Sequence, residues 1–176
     1  PNERLGKKLN ITGKGRCNLT NNCGRDEFLR SVPRNGKFLY SAYAQFDSAA
    51  LMAFYENLGV PLKTERGNRV FPASDRAFNV SAALERRLRQ LNVRVVRDRA
   101  EALLLREGAL EGVRGQREAY LAGRVVVATG GVSYPLTGST GDGYRLARQA
   151  GHTVVEPRGS LVPLCAAGDL CPRLQG

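Results

Sequence analysis

The chain has 176 residues, of which 42% are hydrophobic and 24% charged, and its formal net charge is +11. This is enough sequence for one globular domain with a buried core that needs neither disulfides nor a metal. No apolar run approaches the roughly 18 residues that a transmembrane helix requires, so we expect no membrane partner. The first residue is Pro1, no basic-then-apolar leader follows, and the end at Gly176 shows no cap. We therefore expect a chain cut at both ends.

The basic residues are concentrated in the first part of the chain, where residues 1–99 carry 19 basic and 9 acidic side chains. Such an excess can mark a surface that binds phosphate or nucleic acid. No run of five basic residues occurs, however, and aromatic residues do not interleave with the arginines. Solvated helix faces explain the charge better, and we expect no nucleic-acid partner.

The four cysteines fall in two pairs, Cys17-x5-Cys23 and Cys165-x5-Cys171, and the only histidine is His152. Structural zinc sites require closer pairs, so no metal is predicted. Free thiols are typical of a reducing compartment, which predicts a cytoplasmic location. One histidine also gives no hydrolytic triad.

The first half of the chain predicts a long glycine-rich loop over residues 1–22, followed by helices and a hairpin. A short helix is expected over 26–32 and a longer one over about 39–57. Two short strands, 60–65 and 69–72, flank Gly67 and Asn68 and predict the hairpin. A helix capped by Ser74 or Asp75 then continues to about Leu91.

The second half predicts mainly strands. A strand over 93–96 is followed by a β-meander at 102–106, 110–113, 118–121 and 124–128. The last of these, with Val125, Val126 and Val127 in a row, is typical of a strand buried on both faces of a sheet. A helix over 142–150, ended by Gly151, and a strand over 153–155 complete an α/β pattern.

Three glycine-rich segments are candidates for ligand binding. The buried strand ends in Ala128-Thr129-Gly130-Gly131, at the sheet edge where α/β folds bind nucleotides. Residues 137–143 (TGSTGDG) precede a helix and offer backbone donors, although the lysine of a P-loop is absent. Residues 12–21 (TGKGRCNLTN) concentrate cationic and amide donors suited to an anionic ligand. Each segment alone could equally be an ordinary turn or helix cap.

Taken together and in this order, residues 3–22, 125–152 and 157–164 resemble the BaiN/YhiN-like, or aminoacetone-oxidase-type, bacterial FAD-dependent oxidoreductases. The resemblance implies a partial Rossmann-like FAD domain of the two-dinucleotide-binding type, with a β-meander, over residues 1–162. It also implies that an inserted second domain begins at 163–176. The family's N-terminal GxGxxG unit and C-terminal segment have no counterpart here, which agrees with a cut chain.

The resemblance assigns roles to residues but identifies no catalytic acid or base. Cofactor contacts are implied for Gly13, Lys14, Gly15, Arg16, Cys17, Asn18, Val96, Ala128, Thr129, Gly130 and Gly131. A flavin-facing or substrate pocket is implied for Tyr134, Thr137, Ser139, Thr140, Gly141 and Asp142. Lys14 and Arg16 are expected as cations near the N1–C2 edge of the flavin, where reduction builds negative charge. A packing role is favoured for Cys17 over a redox role.

The function implied is hydride transfer through the flavin N5 to or from a small organic substrate, with FAD as cofactor and NAD(P)H as a possible electron donor. The alternative is a basic α/β module that binds nucleotides or nucleic acid without redox activity. A salt-sensitive association with DNA or RNA would distinguish it. A third reading is a truncated chain without a stable fold.

Overall fold

A computed structural model describes residues 2–159, together with the isolated residues 168 and 173. The predicted inserted domain at 163–176 therefore falls almost entirely outside the described residues, as do Cys165 and Cys171. Within the described part of the chain, no helix is long and apolar enough to cross a membrane.

The first layer of the fold contains short helices and a small sheet. Its elements in chain order are α1 (Lys7–Ile11), a 3-10 turn (Thr12–Gly15), β1 (Thr20–Asn21), α2 (Arg25–Arg30), a second 3-10 turn (Gly36–Leu39), α3 (Tyr40–Gln45) and α4 (Ser48–Asn57). The prediction of a loop throughout residues 1–22 is wrong for α1. Leu9 packs this short helix against the buried core, which local pattern alone did not indicate.

The helix predicted over 39–57 is broken in two at Phe46 and Asp47. Phe46 leaves the helical region at φ −148°, and the Asp47 carboxylate accepts a hydrogen bond from the Ala50 N–H at 2.8 Å. Asp47 is therefore an N-cap that begins α4, as aspartate does at many helix starts.

The predicted hairpin is confirmed as β2 (Leu62–Glu65) and β3 (Arg69–Pro72), and β1 adds to it in the antiparallel order β1-β3-β2. Helix α5 (Ala77–Gln90) follows, but neither predicted cap residue accepts a hydrogen bond from a main-chain N–H of the helix. Arg76 precedes the helix without a side-chain cap. Ser74 instead accepts from the Asn79 side chain at 2.9 Å, and Asp75 is engaged by basic residues described below. The buried core lies between these elements and contains Cys17, Tyr55, Val60, Ala77, Val80 and Ala83.

The second layer is an antiparallel meander, as predicted, of β4 (Ala100–Arg106), β5 (Ala109–Gly115) and β6 (Ala119–Leu121). Helix α6 (Asp142–Gln149) confirms the last predicted helix and is followed by Gly151 at φ +85°. The Gln149 side chain ties the helix to β4, since it bonds the Leu103 N–H at 2.8 Å and the Leu103 carbonyl at 2.9 Å.

Three predicted strands do not form among the described residues: 93–96, 124–128 and 153–155. Both sheets are antiparallel, and no strand pairs with these segments. Val126, predicted to be buried on both faces, is 88% exposed. A β-branched run favours an extended backbone, but it becomes a strand only where a neighbour supplies ladder hydrogen bonds.

Candidate functional site

The glycine loop, residues 12–18, has an unusual backbone. Gly13, Lys14, Gly15 and Cys17 lie at φ +56°, +57°, +84° and +62°. The left-handed region costs a residue with a Cβ about 1–2 kcal/mol, so two such residues require contacts that hold them. The Cys17 N–H bonds the Thr12 carbonyl at 2.9 Å and closes the loop.

The floor of the glycine loop is Phe71, which lies on β3 and is 2% exposed. A Cβ on Gly13 would lie 3.0 Å from the Phe71 ring and 2.9 Å from the Asn18 main-chain nitrogen. The Asn18 side chain, with its amide oriented as a donor, bonds the Val70 carbonyl at 3.2 Å and the Thr20 carbonyl at 3.1 Å. The loop is therefore packed closely against the small sheet.

Cys17 is fully buried in the core cluster. Burial raises the pKa of its thiol, and a hydrogen bond with Thr12 opposes that rise only in part. A thiol that resists ionisation is a poor nucleophile. Cys17 and Cys23 are both free thiols. This environment favours the packing role predicted for Cys17.

Arg16 belongs to a cluster of four charges that joins the glycine loop to the hairpin. Its two terminal nitrogens each bond a Glu65 carboxylate oxygen at 2.9 Å, and one of them also bonds Asp75 at 3.0 Å. Lys63 contacts Asp75 at 2.5 Å and Glu65 at 3.3 Å. The guanidinium lies 4.0 Å from the centroid of the Phe71 ring. We call Arg16, Lys63, Glu65 and Asp75 the four-charge cluster.

The charge pairing in this cluster lowers the pKa values of its two carboxyl groups. The hydrogen bonds from Arg16 are the main cause that lowers the pKa of Glu65 to about 2. The hydrogen bond from Lys63 is the main cause that lowers the pKa of Asp75. Lys14, in contrast, is exposed and pairs with no carboxylate among residues 2–159. Lys14 is therefore the cation of the loop that remains available to a ligand.

Residues 128–131 lie at the end of the predicted strand 124–128, and we keep the name strand-end loop for them. This loop packs against the turn that begins α6. The Gly141 N–H bonds the Gly131 carbonyl at 3.1 Å. A Cβ on Gly130, which has φ +75°, would lie 2.9 Å from the Ser139 hydroxyl oxygen. These two predicted segments, distant from the glycine loop in sequence, are therefore in direct contact with each other.

Residues 133–141, the hydroxyl loop, are fastened to the N-terminal segment by side-chain donors. Lys8 bonds the Ser133 carbonyl and hydroxyl oxygens at 2.9 Å each and approaches the Ser139 hydroxyl at 3.5 Å. Lys7 bonds the Leu136 carbonyl at 2.7 Å, and Asn2 bonds the Thr137 carbonyl at 2.7 Å. Because α1 continues into the glycine loop, these contacts bring the two predicted site regions together.

Tyr134 of the hydroxyl loop and Asp142, directly after that loop, have distinct environments. Tyr134 lies at φ +56°, where a bulky side chain is a clear outlier, and its ring is 67% exposed below the Lys8 ammonium. Thr137 holds this conformation through a 2.7 Å bond from its hydroxyl to the Tyr134 carbonyl. Asp142 accepts a hydrogen bond from Thr140 at 2.9 Å, which is the main cause that lowers its pKa.

An open groove follows α1. A cavity of about 780 Å³ is lined by residues 2–6 and 95–98 together with Phe78 and Glu85, and therefore includes Val96. An adjoining cavity of about 600 Å³ is lined by Asn2, Glu3, Arg4, Lys7, Asn10 and Ile11. The two cavities share Asn2, Glu3 and Arg4, and the second ends at the residue before the glycine loop.

The predicted site residues thus fall into three connected places: the glycine loop, the strand-end and hydroxyl loops, and the groove at Val96. Sequence reasoning missed the residues that connect them, Asn2, Lys7 and Lys8, and the hairpin charges that hold Arg16. Lys63 and Glu65 are two apart on a predicted strand and share one face, which was the available signal. Asp75 gave no comparable signal.

Comparison with known proteins identifies the family. A family model described as the HI0933-like protein Rossmann domain matches residues 1–168. The chain is 38% identical to a 3-dehydro-bile acid delta(4,6)-reductase of Clostridium scindens over 92% of its length and 39% of the relative's. It is 29% identical to a ribosomal RNA dihydrouridine synthase of Escherichia coli over 98% of its length and 42% of the relative's. A protein of the same name from Haemophilus influenzae is 26% identical over 92% and 40%.

The chain therefore spans about two fifths of the length of the curated relatives that it matches. The match agrees with the α/β, Rossmann-like class expected from the order of the three glycine-rich segments. With most of its length matched, the chain belongs to the HI0933-like family through that family's Rossmann domain.

Proposed function

We propose that this chain is the FAD-binding part of an FAD-dependent oxidoreductase. The observation that carries the proposal is the groove along α1, which joins the Val96 region to the start of the glycine loop. FAD is an extended ligand with an adenosine end and a flavin end, and a groove of this shape suits it. The similarity to a reductase adds support.

The residues present fit such a ligand. A Cβ at Gly13 would lie too close to Asn18, and one at Gly130 too close to Ser139, so both loops need glycine to pack as closely as they do. Loops without side chains at these positions can bind a flat ring through their main chain. Lys14 supplies an exposed cation, unpaired within residues 2–159, for a phosphate or for the electron-rich edge of a flavin. Val96 is 40% exposed and lines the groove, where it suits contacts to an adenine.

When bound, FAD would supply the redox chemistry, since its N5 accepts and passes on a hydride. The chain's own residues bind and orient it. In this proposal Lys14 and the strand-end loop would hold the flavin end of FAD, and the Lys14 ammonium would supply positive charge where reduction builds negative charge. Tyr134, Thr137 and Thr140 would line the substrate side, whereas Ser139, which the sequence also places there, is only 4% exposed and packs inside the loop. Ionised Asp142 accepts the hydrogen bond from Thr140.

We further propose a reduced nicotinamide as electron donor, a small organic molecule as substrate, and a cytoplasmic location. A keto bile acid with conjugated ring double bonds is the first substrate to test, because the relative with 38% identity is named as a reductase of such a compound.

RNA is a second candidate substrate, and one surface favours it. Arg30, Arg34, Lys37 and Tyr40 line a cavity of about 610 Å³, and Phe38 beside them is 86% exposed. None of these three cations forms an ion pair within the described residues. Two relatives are named ribosomal RNA dihydrouridine synthases. Unpaired cations beside exposed aromatic rings suit single-stranded nucleic acid.

The experiment is reduction of the bound flavin in the full-length protein under anaerobic conditions. NADH or NADPH should bleach the flavin absorbance, and a dehydro-bile acid should restore it. A protein that takes up no FAD would contradict the proposal.

To test the RNA alternative, single-stranded oligouridylate is titrated at several salt concentrations. Salt-dependent binding that is lost when Arg30, Arg34 and Lys37 become Ala would favour RNA.

A further inference from the structure

The four-charge cluster raises the question of what Arg16 does in the proposed cofactor site. Its guanidinium is already bonded on both terminal nitrogens to Glu65 and on one of them to Asp75. Two carboxylates and two cations leave the cluster without net charge. A ligand in the glycine loop would therefore meet little of the Arg16 charge, so the value of the residue must lie in what it holds.

What Arg16 holds is a strained loop. Lys14 and Cys17, the residues two before and one after it, both lie in the left-handed region. Four contacts hold the loop main chain in place. They are the hydrogen bond from Cys17 to Thr12, the burial of Cys17, the hydrogen bonds from the Asn18 amide to β3 and β1, and the paired hydrogen bonds from Arg16 to Glu65, called the fork below. Of these, only the fork ties the loop to β2.

The fork is geometrically demanding. A planar guanidinium bonds a carboxylate through two parallel contacts, here both 2.9 Å, while its face lies over Phe71 at 4.0 Å. Lys63 also contacts both acceptors, Glu65 at 3.3 Å and Asp75 at 2.5 Å. The side chains are only about one-third exposed, 34% for Arg16 and 27% for Glu65, so water screens the contacts incompletely.

We infer that Glu65 and Asp75 are positioning residues for the cofactor: through Arg16 they fix the glycine loop in the conformation that presents Lys14 and the loop main chain to FAD. The inference rests on the proposed function, because it assumes that this loop holds FAD. It changes the role of Arg16 from a cation at the flavin edge to the tie between the loop and the hairpin.

The test compares Glu65→Gln with Glu111→Gln in the full-length protein. Glu111 is a matched control, since its carboxylate forms a looser, exposed pair with Arg106 at 3.7 Å on the meander. We expect Glu65→Gln to raise the FAD dissociation constant about tenfold, more than an exposed ion pair provides, while its circular dichroism spectrum stays that of the wild type. Glu65→Asp, which keeps the charge, should recover part of the affinity.

Loop order is measured without FAD by trypsin, which cuts after Lys14 and Arg16. Glu65→Gln should be cut there several-fold faster than the wild type, and Glu111→Gln at the wild-type rate. Arg16→Lys, which keeps the charge but loses the fork, should behave like Glu65→Gln. Equal FAD affinity and equal cutting rates for both Gln variants would overturn the inference. A wild-type protein that binds no FAD would overturn the proposed function instead, while the trypsin rates would still decide whether the cluster orders the loop.

Discussion

Replacing Gly13 by Ala tests the packing of the glycine loop against the small sheet. Gly13 lies at φ +56°, so an alanine there would cost about 1–2 kcal/mol from the left-handed backbone. Its Cβ would also lie 2.9 Å from a main-chain nitrogen and 3.0 Å from the buried Phe71 ring, neither of which can move freely. Overpacking of this kind adds about 1–3 kcal/mol. The expected loss of stability is therefore about 2–5 kcal/mol.

Gly59 provides the matched control. It lies at φ +79°, but a Cβ there would meet nothing within 4 Å, so Gly59→Ala reports the backbone cost alone. Urea unfolding of both variants, followed by circular dichroism, gives the close-approach contribution as a difference. Gly13→Ala should also bind FAD more weakly than Gly59→Ala. If the free energy of unfolding fell equally in the two variants, the result would contradict the close packing of Gly13 on Phe71.

Three further predictions concern acid, thiol chemistry and the strand-end loop. The pKa of Glu65 is lowered from 4.5 to about 2 in the folded protein, so Glu65 stabilises the fold above about pH 4.5 and loses this contribution as the pH falls towards 2. In Glu65→Gln the free energy of unfolding should therefore change less with pH between 4.5 and 2. The same pH profile as the wild type would argue against the pairing. Cys17 should react with iodoacetamide far more slowly than Cys23 in the native protein, because burial raises the pKa of the Cys17 thiol. Equal reaction rates, measured by mass spectrometry, would show that Cys17 is accessible. Gly130→Ala should lower the melting temperature more than Gly151→Ala. Both glycines lie at positive φ, +75° and +85°, but a Cβ on Gly130 would lie 2.9 Å from the Ser139 hydroxyl oxygen, whereas at Gly151 nothing lies within 4 Å; equal melting temperatures would contradict the contact.

The parts of the fold that depend on local interactions could be predicted from sequence. Gly67 and Asn68 indicated the hairpin, apolar spacing indicated α5 and α6, and regular turns indicated the meander of β4 to β6. The strands of the hairpin and of the meander pair with their sequence neighbours, and each helix bonds within itself. Their existence therefore follows from patterns within a short window.

Non-local features could not be predicted in this way. The valines of 125–127 indicated a strand, yet no neighbour pairs with them among the described residues. Asp47 was read as a helix interior although its side chain caps a new helix, because pattern alone does not show where a chain turns. The glycine loop was identified as a binding loop, but its tie to Glu65 and Asp75 joins residues 49 and 59 positions apart. Such contacts depend on how β2 and the glycine loop pack.

The most direct test of the account is the cofactor content of the full-length protein. The purified protein should show flavin absorbance bands, and acid release followed by chromatography should yield FAD at about one equivalent per chain. A colourless protein that gains no flavin bands after incubation with FAD would contradict the account.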